Sequence, residues 1–152
     1  MSAARVFVDT NVLVYSMDKD EPVKRPVALA LLGAVSARGN GAINAQVIGE
    51  FFVTATRRFC SSMDTAEAAF QTLRLADMFI VYDTSLAIIE EALRGVVGYK
   101  MSFYDAQIWA VARINQIPVV LSEDFSDGGV IEGVRFANPF APAFDLEAAL
   151  SV

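Results

Sequence analysis

Histidine is absent from this 152-residue chain, and cysteine occurs once, at Cys60. The first absence excludes Ser-His-Asp and Cys-His nucleophiles, imidazole proton transfer and imidazole-ligated zinc. A lone cysteine allows no intrachain disulfide and no thiolate metal cluster, which fits a reducing cytoplasm and a buried structural thiol. Positive charge is also short, with 12 Lys and Arg against 18 Asp and Glu and a net charge of −6. A broad basic surface is therefore excluded, and any polyanion needs a local basic patch, a partner subunit or a bound cation. No apolar run approaches the roughly 18 residues of a membrane helix. The opening M-S-A-A-R-V-F-V-D lacks the basic segment, apolar core and cleavage site of a secretion signal. What is present is a composition 55% hydrophobic and 20% charged, that of a folded protein. Its length is most economically one domain, residues 1–152. Carboxylates are left to carry any chemistry.

The pattern along the chain alternates strands with helices. Arg5 to Val8 reads as a buried strand, short and apolar on both faces, with Asp9 at its end. Asp18 to Glu21 is a charged, solvated turn, and Pro22 to Arg38 carries Val27, Leu31, Leu32 and Val35 at helical spacing. Ala42 and Ile43 form a second strand, and Asn44 caps a helix reaching about Arg58. Asp64 and Glu67 make a capping box for a helix to about Asp77. Met78 to Tyr82 is a third strand, followed by a helix with Leu86, Ile89 and Leu93, and Gly95 to Lys100 reads as a loop. A helix from Ser102 leads into the strand Ile117 to Leu121, Val134 to Ala137 is a last strand, and Asp145 caps a small terminal helix. Such alternation implies an α/β fold with a parallel sheet covered on both sides.

Most acids have ordinary explanations as turns, caps or solvated faces, Glu90 and Glu91 among them. Four do not. Asp9 ends a strand, where open α/β sheets bind ligands, although it could equally cap a following helix. Asp105 lies three residues after Ser102 and shares a face with Ile108, Trp109 and Ala112, so it is both a helix-start acid and one turned toward the sheet. Glu50 sits among Val47, Ile48, Phe51, Phe52 and Val53, its alternative being a surface residue paired with Thr54 or an Arg. Asp124 follows the strand ending at Leu121 and shares a side with Ser122; the alternative is a turn toward Gly128 and Gly129, with Glu123 and Asp127 as competitors. Were the four to converge, each pair near 5 Å would repel by roughly 3 kcal/mol at an effective dielectric of about 20. The cluster would then take up protons or bind cations, and oxygen-only ligands favour Mg²⁺ or Mn²⁺ over zinc.

These pieces resemble the PIN domain, most closely the toxin nucleases of bacterial VapBC toxin-antitoxin modules. The matching stretches are F-V-D-T-N-V-L-V-Y, N-A-Q-V-I-G-E-F-F, S-F-Y-D-A-Q-I-W-A-V-A and V-V-L-S-E-D-F, with G-V-R-F-A-N-P-F as a closing strand. The resemblance implies a three-layer α/β/α domain and a Mg²⁺- or Mn²⁺-dependent endoribonuclease. It places Asp9, Glu50, Asp105 and Asp124 on the acidic quartet, with Asp9, Asp105 and Asp124 as metal ligands. Asn11 and Ser122 fall on supporting positions, and Asp127 is an additional acid. A homodimer, an antitoxin that blocks the site and an RNA substrate are implied as well. Arg57, Arg58, Lys100 and Arg113 are candidate phosphate contacts. Two other readings of the acids stand beside this one. An aspartyl-phosphate phosphatase needs an Asp two residues after its nucleophile, where this chain has Asn11; a receiver-like module would hold a cation without catalysis.

Overall fold

The computed structural model describes residues 3–59 and 61–151. The expected burial of the Cys60 thiol lies outside them. The elements run β1 (Val6–Val8), α1 (Thr10–Met17), α2 (Lys24–Arg38), β2 (Gly41–Asn44), α3 (Ala45–Arg58), α4 (Thr65–Ala76), β3 (Ile80–Tyr82), α5 (Leu86–Tyr99), α6 (Phe103–Ile114), β4 (Val119–Leu121), β5 (Val130–Ile131), β6 (Val134–Ala137) and α7 (Leu146–Leu150). The sheet has six strands in the order β3-β2-β1-β4-β6-β5. All neighbours are parallel except the β5–β6 hairpin, whose turn places Glu132 at φ 46 and Gly133 at φ 85. Helices pack on both faces, giving the expected α/β/α layering.

β1 and β4 are buried at every position, so their side chains must be apolar on both faces. Val6, Phe7, Val8, Val119, Val120 and Leu121 supply that core, and Trp109, Phe51 and Leu13 close over it from the helices. Side-chain oxygens fix six of the helix starts: Asp9 caps α1, Asn44 caps α3, Asp64 caps α4, Ser85 caps α5, Ser102 caps α6 and Asp145 caps α7.

Two expectations are corrected. Gly95 to Lys100 is not a loop, because α5 continues through Tyr99 and stops at Lys100 in the left-handed conformation, φ 59. Gly95 is helical for packing reasons, since a Cβ there would stand 2.9 Å from two Trp109 ring carbons and 3.4 Å from the Ala106 Cβ. Its lack of a side chain lets α5 lie close against α6. The second correction is Asp18, expected in a solvated turn. It is 4% exposed and paired with Arg58 at 2.5 Å, which pins the end of α1 to the end of α3.

Candidate active site

The crevice opens where the strand order reverses. From β1 the chain runs through β2 and β3 to one side of the sheet, while β4 and β6 lie on the other, so the carboxyl ends of β1 and β4 stand side by side. Asp9 leaves β1 there, its backbone N–H donating to Leu121 O at 3.0 Å. Its Oδ1 accepts from the Thr10 N–H at 2.7 Å and so caps α1. Its Oδ2 accepts from the Ser122 hydroxyl at 2.6 Å and the Asn11 amide at 3.2 Å. Capping and the site position, set against each other in the sequence, are both occupied by one carboxylate.

Asn11 joins the two strand ends. Its Nδ2 stands 3.2 Å from Asp9 Oδ2, 3.1 Å from Ser122 Oγ and 3.2 Å from Asp124 Oδ2. The Asp124 N–H donates to Ser122 Oγ at 3.1 Å, which holds the turn after β4 against Asp9. Ser122 is buried, whereas Asp124 is exposed at the rim. Asn11 thus performs a bridging task in the place where phosphoaspartate chemistry needs a second acid.

Glu50 lies on α3 and reaches across to α1. Its Oε2 accepts from the Thr10 hydroxyl at 2.9 Å and its Oε1 from Gln46 Nε2 at 2.7 Å, in place of the Thr54 or arginine partner weighed from sequence. Asp105 is half-buried in the first turn of α6, its N–H donating to Ser102 Oγ at 3.2 Å. Thr10 and Gln46 were not singled out in the sequence. Thr10 adjoins Asp9 and Gln46 precedes Glu50 by one helical turn, and that adjacency was the available signal.

Electrostatics couple these acids. Burial pushes Asp9 up to about 6; the Ser122 and Thr10 hydrogen bonds oppose this, and the charges of Asp124 and Glu50 push further upward. Asp105 is raised too, first by burial, with Ser102 opposing and Asp124 and Glu50 adding repulsion. Glu50 and Asp124 therefore act on both Asp9 and Asp105. Among the described residues, no three acids stand close enough to hold one ion as placed. The donor set still suits a hard divalent cation, being oxygen-only, with Asp9 and Asp105 raised first by burial and then by the neighbouring charges.

The other candidates separate cleanly. Asp127 accepts from the Asn138 N–H at 2.8 Å and lines a hollow with Arg135 and Asp145, apart from the quartet. Glu123 is taken by Lys24 at 2.8 Å and by the Tyr15 hydroxyl at 2.6 Å. Of the cations, Arg58 pairs with Asp18 at 2.5 Å, and Arg113 pairs with Glu91 at 2.8 Å and with Glu132. Lys100 caps α5. Arg57 is exposed on α3 and has no ion-pair partner among the described residues.

Residues 6–126 match the model of the PIN domain family. No curated protein matches the chain in sequence. Among solved structures, VapC20 of Mycobacterium tuberculosis, described as a sarcin-ricin loop cleaving toxin, is similar with 26% identity and a TM-score of 0.65 over 86% of this chain and 98% of that one. A toxin-antitoxin complex from Klebsiella pneumoniae is similar in fold, with 22% identity and a TM-score of 0.68 over 88% of this chain and 97% of that one. PAE2754 from Pyrobaculum aerophilum shares the fold at 20% identity and a TM-score of 0.58, covering 80% of each chain. The family model spans β1 through the turn after β4, and with it Asp9, Glu50, Asp105 and Asp124; this chain belongs to the PIN domain family.

Proposed function

We propose that this chain is a divalent-metal-dependent endoribonuclease and the toxin of a toxin-antitoxin module. The observation that carries the reading is the gathering of acids at the strand ends: Asn11 reaches both Asp9 and Asp124, Thr10 joins α1 to Glu50, and Asp9 and Asp105 are raised first by burial and further by the charges of Asp124 and Glu50. Family membership and the likeness to VapC20 support a nuclease, and the likeness to the Klebsiella complex supports an antitoxin partner. In this reading Asp9, Asp105 and Asp124 hold Mg²⁺ or Mn²⁺, with Glu50 completing the charge or orienting the attacking water. A bound ion of this kind supplies Lewis-acid polarisation of the phosphodiester and a lowered pKa for water.

The chain's own residues contribute position. Ser122 and Asn11 fix Oδ2 of Asp9, and Asn11 keeps Asp124 on the same side. Thr10 and Gln46 hold both oxygens of Glu50, so that acid is oriented before substrate arrives. A single domain, a cytoplasmic location and a homodimer belong to the same reading. Leu86, Leu93 and Val97, 72%, 51% and 74% exposed on α5, are apolar surface of the kind a second copy covers.

The test is cleavage of a generic single-stranded RNA in three reactions: protein with Mg²⁺ or Mn²⁺, protein with EDTA, and the Asp9→Asn variant with metal. Cleavage only in the first is expected. Equal cleavage in all three, or in none, rejects the assignment.

A further inference from the structure

Next to Glu50 a groove of about 780 Å³ runs along α3, lined by Gln46, Gly49, Glu50, Val53, Arg57 and Tyr104. The α3 residues follow helical spacing, so they form one continuous face of that helix, with Glu50 toward the crevice and Arg57 two turns further on. Tyr104 forms the opposite wall from the first turn of α6, one residue before Asp105. Tyr104 is 63% exposed, and Phe103 braces its ring edge-on at 5.4 Å between centroids. Gln46 links the walls, donating to Glu50 at 2.7 Å and to the Tyr104 carbonyl at 3.4 Å. Gly49 keeps the floor open, since a Cβ there meets nothing within 4 Å.

We propose that this groove holds an unpaired nucleotide flanking the scissile phosphodiester, its base stacked on Tyr104 and its neighbouring phosphate on Arg57. This deepens the ribonuclease reading and rests on it. An exposed aromatic side chain lining the same groove as an arginine without an ion-pair partner among the described residues matches the stacking platform and phosphate contact that single-stranded nucleic acids use. The volume falls within the range of pockets that enclose small ligands. A base still stacked in a duplex cannot present its face to Tyr104, so the groove selects single-stranded or looped RNA. A protein segment is the poorer occupant, because the groove leads from a carboxylate site to Arg57, which has no ion-pair partner among the described residues, and the exposed Tyr104 offers a flat face rather than an apolar cup.

The experiment measures binding separately from cleavage. The Asp9→Asn protein, with Mg²⁺, is titrated into a fluorescein-labelled single-stranded oligoribonucleotide and into the same sequence as a duplex. Tighter binding of the single strand is expected. Added to this background, Tyr104→Ala weakens binding about tenfold while Tyr104→Phe and Tyr104→Trp do not. Arg57→Gln lowers the slope of log affinity against log salt by about 0.7. Gly49→Leu fills the groove and weakens binding about tenfold; it replaces a helical glycine with a good helix former, so thermal melting is expected to show an intact fold. Unchanged affinity in Tyr104→Ala or Gly49→Leu, equal affinity for single strand and duplex, or no binding of the single strand overturns the proposal. Failure of the nuclease reading appears elsewhere, as absent cleavage by the protein with native Asp9, and these binding measurements are still readable in that case.

Discussion

Asp9 is 4% exposed, and its carboxyl sits near 6 where an unfolded chain has it near 3.8. The folded state therefore holds a proton more tightly than the unfolded state does. Stability from this group is fully present below about 3.8, is lost as pH rises toward 6, and is absent above that. The displacement corresponds to at most about 3 kcal/mol. Melting followed in EDTA is expected to show Tm falling across this window, and Asp9→Asn is expected to remove the fall and raise Tm at pH 8 by up to about 10 °C. A variant melting below the parent at pH 8 would contradict the sign. Such a stability gain with loss of activity is the pattern expected of a residue kept for chemistry rather than folding. Asp9 was legible because a charged residue closes a strand that is otherwise wholly apolar. Asp18 was not: it sits in D-K-D-E, a run that reads as solvent-exposed, and its burial depends on Arg58, forty positions away, which local pattern cannot reveal.

Among the elements, those with strong local signals were legible. β1 and β4 are apolar runs of the kind a doubly covered sheet requires, and the capping residues Asn44, Asp64, Ser85 and Ser102 stand where the helices start. α1 is legible only as the helix that Asp9 could cap, because Val12, Val14 and Tyr15 carry β-branched and aromatic character that weakens an eight-residue helix signal. α5 was ended too soon at Gly95 for the same kind of reason, since glycine is a poor helix former and its use here answers to Trp109. Gly95→Ala brings these effects into opposition. The substitution gains up to about 1 kcal/mol of helix propensity, while a Cβ pressed on the indole costs about 1–3 kcal/mol. Packing is expected to win, lowering Tm by a few degrees and altering the near-ultraviolet dichroism of the single tryptophan. An unchanged or higher Tm would show that α5 can move away from α6 at little cost.

At the scale of the whole molecule, the arrangement of the site was readable as a list of acids, while the links between them were not. Asn11 reaches Ser122 and Asp124 over more than a hundred positions, and Thr10 reaches Glu50 over forty. Only the parallel pairing of β1 with β4, and the packing of α3 and α6 beside them, brings these residues to one crevice. In the proposed reading a divalent ion offsets the negative charge that the fold gathers there. The direct measurement is the melting temperature of native protein and of Asp9→Asn as Mn²⁺ is added to metal-free samples at pH 7. An ion that binds only the folded state at a hundred times its dissociation constant adds about 2.7 kcal/mol, or about 5–10 °C here. The native protein is expected to show that saturable rise and Asp9→Asn to lose most of it; the same increment in both proteins, or none in either, would contradict the account.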